Sequence, residues 1–189
     1  MNTVEPIRDK QKIKEMQVYL ESIHPKWSLM FKLGVLTGLR VSDILNLKVE
    51  DVDLCIKVKE KKTGKYRKIN VPDSLYIELK KYIKQYKLGK EDYLIFSNKR
   101  GTEGQQKAVS RQQAYRVLRD ASAMVGLKEN IGTHGMRKTM AYHLYQKDKD
   151  IALVQYVLNH SSSETTLRYI GVRQEQADKV LEALNDDLF

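Results

Sequence analysis

The chain has 189 residues, with 34 Lys and Arg against 24 Asp and Glu, a formal net charge of +10 and a sequence pI near 9.5. That length, with 41% hydrophobic residues, suits one ordinary domain with a real core and excludes a disordered chain. Cys55 is the only cysteine, which excludes an intrachain disulfide and a cysteine metal site, and no apolar run approaches the ~20 residues of a membrane span.

So large an excess of positive charge attracts polyanions, nucleic acid above all. The first residues fit neither a signal peptide nor a transit peptide, so a soluble, cytoplasmic protein without a membrane partner is expected. Pro6 and the charged residues after it read as a lead-in, 1–12, to a single domain over 13–189. Ile13, Met16, Val18, Leu20 and Ile23 predict a helix that ends at Pro25. Residues 27–36 are apolar nearly all round, the mark of a buried helix, and stop at Thr37-Gly38 with Arg40 just beyond. A short helix is predicted over 42–47. Leu54, Ile56 and Val58 then alternate with lysines, Thr63-Gly64-Lys65 supplies a turn, and Ile69 and Val71 resume the alternation up to Pro72. This is a basic β-hairpin, in which Cys55 reads as a small buried hydrophobe.

Asp73 is placed to cap the next helix, whose apolar face is Leu75, Leu79, Tyr82 and Ile83. Leu94-Ile95-Phe96 predicts a short buried strand, with a basic loop over 98–107. Ser110 is positioned to cap a helix that stops at Gly126. Further helices are predicted from Thr133 or His134 to about Gln146, over 151–158, and from a Ser162 or Ser163 cap through Tyr169. A last amphipathic stretch holds Ala177, Val180, Leu181, Leu184 and Leu188. The fold class is α+β, mostly helical, with a small antiparallel sheet.

Among the polar residues, Asp43 lies three positions after Arg40 and can reach back to it on a helix. His134 and Arg137 share a helix face at the border of an apolar stripe, and His160 ends a helix. His24 and His143 lack such company and read as structural or surface residues. The spacings of His134, His143 and His160 fit no common zinc pattern, so no metal site is expected, and no Walker-type glycine-rich lysine loop occurs.

Four stretches stand in order: Thr37-Gly38-Leu39-Arg40-Val41-Ser42-Asp43, His134-Gly135-Met136-Arg137, Leu158-Asn159-His160-Ser161 and Thr165-Thr166-Leu167-Arg168-Tyr169. Together they resemble the tyrosine recombinase (phage integrase) family, from about Val4 to the C-terminus. The resemblance implies that the chain has the fold of a tyrosine recombinase catalytic domain. Arg40 and Arg137 then clamp a scissile phosphate, His134 and His160 fill the two histidine positions, and Tyr169 is the nucleophile. Lys62 matches the lysine of the family's β-hairpin, with Lys61 adjacent, and Asp43 orients Arg40 from behind. Asn159 departs from the pattern, standing where a glycine is common, as does Ile170-Gly171 after the tyrosine. Family members usually carry a separate core-binding domain ahead of this region, and a chain without that domain is expected here.

Those groups suit strand transfer on double-stranded DNA. The tyrosine hydroxyl attacks phosphorus, the 5′-hydroxyl leaves, and a 3′-phosphotyrosyl bond conserves the ester without ATP or cofactor. Two guanidiniums suit the charge that gathers on the non-bridging oxygens. His134 takes or organises the tyrosine proton, and Lys62 gives a proton to the leaving oxygen. Lys57, Lys59, Lys61, Lys65, Arg67 and Lys68 supply positive charge around Lys62 and line the DNA backbone. The resemblance also implies a homo-oligomer on DNA, dimer and then tetramer, joined by the C-terminal helix. Two other activities use the same residues: an idle DNA-binding regulator of this fold, and topoisomerase IB-like relaxation of DNA.

Overall fold

Eight helices, a single 3-10 turn and two β-hairpins make up the residues that the computed structural model describes. These residues are 4–59, 66–100, 106–127, 131–132, 134–160, 162–171, 178 and 180–185, and Lys59, Arg67, Lys99, Arg100 and Arg168 are described by backbone alone. Helix α1 (Lys10–Ile23) starts three residues before its first apolar position because Asp9 caps it, accepting from Gln11 N at 2.7 Å. His24 separates α1 from α2 (Pro25–Thr37), and its ring nitrogen caps α2 by accepting from Lys26 N at 3.1 Å. Proline at the first position of α2 costs no hydrogen bond there. Gly38 then ends α2 in the left-handed conformation (φ 62°), and α3 (Val41–Leu45) follows at once.

The basic hairpin pairs β1 (Cys55–Lys59) with β2 (Tyr66–Asn70), with Ile56 opposite Ile69 and Lys57 opposite Lys68. Ile56 and Val58 are buried as the alternation requires, but Leu54 lies outside the strand and is exposed, and Cys55 is only half-buried, on the other face of the pleat. Asp73 does not cap α4 (Asp73–Gln85): it is the first helical residue, and Pro72 occupies the cap position without a side-chain bond. A second hairpin replaces the loop expected after Phe96. Strand β3 (Phe96–Arg100) pairs with β4 (Gln106–Ala108), and polar Ser97, Asn98, Lys99 and Arg100 hide it from any apolar periodicity. Lys26 ties this hairpin to α2. It is buried, donates to Asn98 Oδ1 at 2.9 Å, and lies 5.1 Å from the Phe96 ring and 5.3 Å from that of Trp27.

Ser110 caps α5 (Arg111–Met124) as expected, accepting from Gln113 N. Three more helices follow: α6 (Gly135–Asp148), α7 (Ile151–Leu158) and α8 (Ser163–Ile170). Ser162 is the residue that turns the chain into α8, accepting from Thr165 N at 3.1 Å. Buried apolar residues form two clusters. The larger gathers α1 to α5 and both hairpins and ends at Met136, while the smaller holds Met140, Ala141, Tyr142, Val154, Leu158 and Ile170. Helix α6 therefore belongs to both, and Arg137 stands at the join. Beyond α8, residues 180–185 are helical with Val180, Leu181 and Leu184 exposed.

The crossing of α2 and α6 is close because Gly34 faces Met136: a Cβ on Gly34 would lie 2.8 Å from Met136 Cβ. Gly34→Ala should gain about 1 kcal/mol of helix propensity but lose about 1–3 kcal/mol to overpacking. The expected outcome is a lower melting temperature, read by circular dichroism, whereas an ordinary exposed helix glycine would gain stability from the same change.

Candidate active site

Arg137 is 3% exposed, and its guanidinium donates to the carbonyl oxygens of Gly38 and Leu158. These acceptors are the capping residue of α2 and the last residue of α7, so one side chain fixes three elements. Gly38 is suited to this by its backbone. Its φ of 62° turns the carbonyl inward, and a Cβ at that position would lie 2.1 Å from Met140 Cε. Arg40 follows two residues later as the cap position of α3, its own carbonyl taking the N–H groups of Asp43 and Ile44.

Asp43 is buried, but its carboxylate accepts from the Ser42 hydroxyl at 3.3 Å on Oδ1 and has no partner on Oδ2. Its link to Arg40 thus runs through the backbone, and the side-chain brace expected from the i, i+3 spacing is not formed between them.

His134 is the cap position of α6, exposed at the surface one turn from Arg137. Partial burial, with Arg111, Arg137, Arg40 and Lys138 around it, pushes its pKa down. His160 follows α7 after Asn159, which adopts the left-handed conformation (φ 52°). That conformation explains the departure from glycine at this position, because asparagine is the side chain that best tolerates it. The His160 N–H meets Gln155 O at 3.1 Å, its carbonyl accepts from Gln155 Nε2, and its Nδ1 pairs with Thr166 Oγ1 at 3.2 Å. Burial, then Arg137 and Arg40, push its pKa down as well. Both shifts favour the neutral imidazole, which can accept a proton at one ring nitrogen and donate a hydrogen bond from the other.

Tyr169 lies on α8 with its ring edge-to-face with His160, centroids 5.1 Å apart, and Lys138 Nζ 5.1 Å from its centroid. Its hydroxyl oxygen is buried and lacks a hydrogen-bond partner of good geometry. Burial raises its pKa, opposed by the charges of Arg137 and Arg40 and by the proximity of the Arg137 guanidinium to the hydroxyl. Such a hydroxyl is protonated at rest but already beside two cations, the environment a nucleophile needs when an anionic phosphate arrives. Ile170, the other departure, is buried in the smaller core cluster and anchors the end of α8.

Of the residues expected from sequence, Arg40, His134, Arg137, His160 and Tyr169 share one electrostatic neighbourhood. Lys57 and Lys68 are exposed on the first hairpin, opposite one another. Lys59 and Arg67 belong to the same strands, and Lys61, Lys62 and Lys65 lie outside the described residues. Among the described residues, no group of three or more His, Cys, Asp or Glu could hold a metal ion, and no helix is long and apolar enough to cross a membrane.

Arg111 was missed. It begins α5 and borders, with Arg40, Ser42 and Asn46, an open cleft of about 530 Å³. A cation in the first turn opposes the helix dipole, and that misplacement is the sequence signal that an anion belongs beside it.

Comparison with known proteins places the whole chain. The model of the phage integrase family matches residues 9–176. The probable integrase/recombinase YoeC of Bacillus subtilis is 44% identical over 93% of this chain and 93% of its own length. Tyrosine recombinase XerA of Pyrococcus furiosus is 30% identical over 91% of this chain and 60% of its own length. The crystal structure of the XerH site-specific recombinase bound to palindromic difH substrate, a post-cleavage complex, superposes with a TM-score of 0.71 at 26% identity. That likeness covers 96% of this chain and 54% of the XerH chain. The chain thus spans nearly all of YoeC but only 60% and 54% of the XerA and XerH chains. By sequence and by fold, the chain belongs to the phage integrase family and has the architecture of a tyrosine recombinase catalytic domain.

Proposed function

We propose that this chain breaks and rejoins double-stranded DNA at specific sites through a 3′-phosphotyrosyl intermediate on Tyr169. The observation that carries this reading is the meeting of Tyr169 with Arg137, Arg40 and His160 of its own chain. Arg137 and Arg40 hold the non-bridging oxygens, and their fixed guanidiniums match the charge that develops there. His160, oriented by Thr166 and Gln155, donates a hydrogen bond to the same phosphate. His134 takes the phenolic proton as the oxygen attacks. Lys62, from the segment joining β1 and β2, protonates the departing 5′-oxygen, and Lys57, Lys59, Lys61, Lys65, Arg67 and Lys68 lie along the backbone. An arginine on a transferring phosphoryl group can contribute about 10³–10⁵ in rate, so two of them remove the need for a metal ion.

Tyr169→Phe should abolish the covalent protein–DNA adduct on denaturing gels while leaving DNA affinity within about threefold of wild type, because only the reacting oxygen is lost. A persisting adduct would place the nucleophile elsewhere. Wild type that binds DNA without forming an adduct would favour the idle regulator, and relaxation of plasmids without strand exchange would favour the topoisomerase-like activity.

Lys62→Ala should slow cleavage severely on an ordinary substrate. A 5′-bridging sulfur at the scissile phosphate should restore much of the rate, since a thiolate leaves without a proton. Equal impairment on both substrates would shift the role of Lys62 to phosphate binding, or move the general acid to Lys61.

The XerH complex is bound to its DNA substrate and a lambda integrase is seen as a tetramer on a Holliday junction. We extend oligomerisation on DNA to this chain, with the helical residues 180–185 of one copy seated on another. The acceptor is the apolar groove between α1 and α2, floored by Ile13, Phe31, Val35 and Leu36 and edged by Lys14. Exposed Val180, Leu181 and Leu184 match its floor, and acidic Asp178 and Glu182 match its rim. Leu181→Asp with Leu184→Asp should block strand exchange more than single-strand cleavage. Loss of thermal melting in the free double variant would instead assign the segment to its own domain.

A further inference from the structure

Residues 4–9 run along one face of α6. Val4 packs where a Cβ on Gly135 would lie 3.5 Å from its Cγ1, Ile7 N donates to Thr139 Oγ1 at 2.9 Å, and Arg8 lies 5.5 Å from the Tyr142 ring. His143 Nε2 pairs with Ile7 O at 2.9 Å, and Glu5 is the acidic group that acts on Lys138. The residues met on α6 are therefore 135, 139, 142 and 143, the spacing of a single helical stripe, with Lys138 within reach of the Glu5 charge. Pro6 and Ile7 are buried by this contact, so the segment is packed along the helix.

The same segment meets the end of the nucleophile helix. Gly171, two residues after Tyr169, has a φ of 71°, and a Cβ there would lie 3.1 Å from Arg8 Nη2 and 3.4 Å from Glu5 Oε2. Glu5 and Arg8 are themselves paired at 3.2 Å. Lys138 stands between the two contacts. Its ammonium is 5.1 Å from the centroid of the Tyr169 ring; burial pushes its pKa down, Glu5 opposes that shift and Arg8 adds to it.

Resting on Tyr169 as nucleophile, we propose that residues 4–9 are a strap that positions it, acting through Lys138 on the tyrosine ring and through the Glu5–Arg8 pair on Gly171. Lys138 is a positioning residue: it orients the ring by cation–π attraction and has no part in the proton transfers. The carboxylate of Glu5 attracts that ammonium and helps to hold it in place. Tyr169 is thereby gripped at its ring by Lys138 and His160 and just beyond its backbone by the strap. An attacking oxygen misplaced by an ångström loses much of its rate, so this grip bears directly on cleavage.

The test uses the full chain labelled with 3-fluorotyrosine, the Tyr169 signal being assigned by its disappearance in Tyr169→Phe. Lys138→Met and Glu5→Gln should each move or broaden that fluorine signal in the free protein. They should also slow single-turnover adduct formation roughly threefold to thirtyfold, with unchanged DNA affinity. Lys138→Arg should retain both signal and rate. An unmoved signal with wild-type cleavage in Lys138→Met would overturn the positioning role, and the same result confined to Glu5→Gln would overturn the strap. If Lys138→Met fails to fold, Glu5→Gln carries the test alone. If wild type forms no adduct at all, the recombinase reading falls, and the fluorine signal still decides the strap.

Discussion

The grip of Arg137 on the carbonyls of Gly38 and Leu158 is the contact on which the rest of the site depends. A buried guanidinium is costly unless its donors are used, and two main-chain oxygens at the ends of different helices each take one of them. In doing so, they set where α2 stops, where α7 stops and how α6 lies between them. The loop that carries Arg40 leaves from the first of these ends, and the turn that carries His160 leaves from the second. Charge, backbone conformation and helix length are thus settled together by one side chain. Lysine could not substitute, since a point charge lacks the fork that spans both acceptors.

The site's electrostatics follow from the same crowding of cations. Arg40 and Arg137 bear on His134, His160 and Tyr169 alike, lowering the histidines and pulling the tyrosine down against its burial. Arg111 and the lysine-rich hairpin extend the positive field outward. Such an arrangement is unfavourable in isolation, where like charges repel, and is relieved when a polyanion takes the place of solvent. The protein therefore stores in its surface a demand that DNA satisfies.

Much of this is legible in the sequence alone. Helices with a continuous apolar face and a polar cap, such as those around Leu118 and Val154, stood out because burial and capping leave a periodic record. The candidate site residues are legible because they fall in four short runs, 37–43, 134–137, 158–161 and 165–169. What stayed hidden was decided by partners distant in sequence. Strand β3 is polar at Ser97, Asn98, Lys99 and Arg100, and only its pairing with β4 reveals it. Asp43 had the spacing to brace Arg40, yet the short helix α3 directs its carboxylate to Ser42. Nothing local to Lys138 in the sequence announces the aromatic ring beside it.

The division of the core into two clusters has a consequence for motion. Tyr169 and its helix belong with Leu158, Val154 and Ile170 in the smaller cluster, while Arg40 and the first hairpin belong with the larger. Cooperative units defined in this way open independently, and the unit with fewer buried contacts opens more often. Each opening of the smaller unit would part the tyrosine from Arg40 and pull Leu158 from the hand of Arg137. The amides of α7 and α8 would then exchange with solvent well before those of α2.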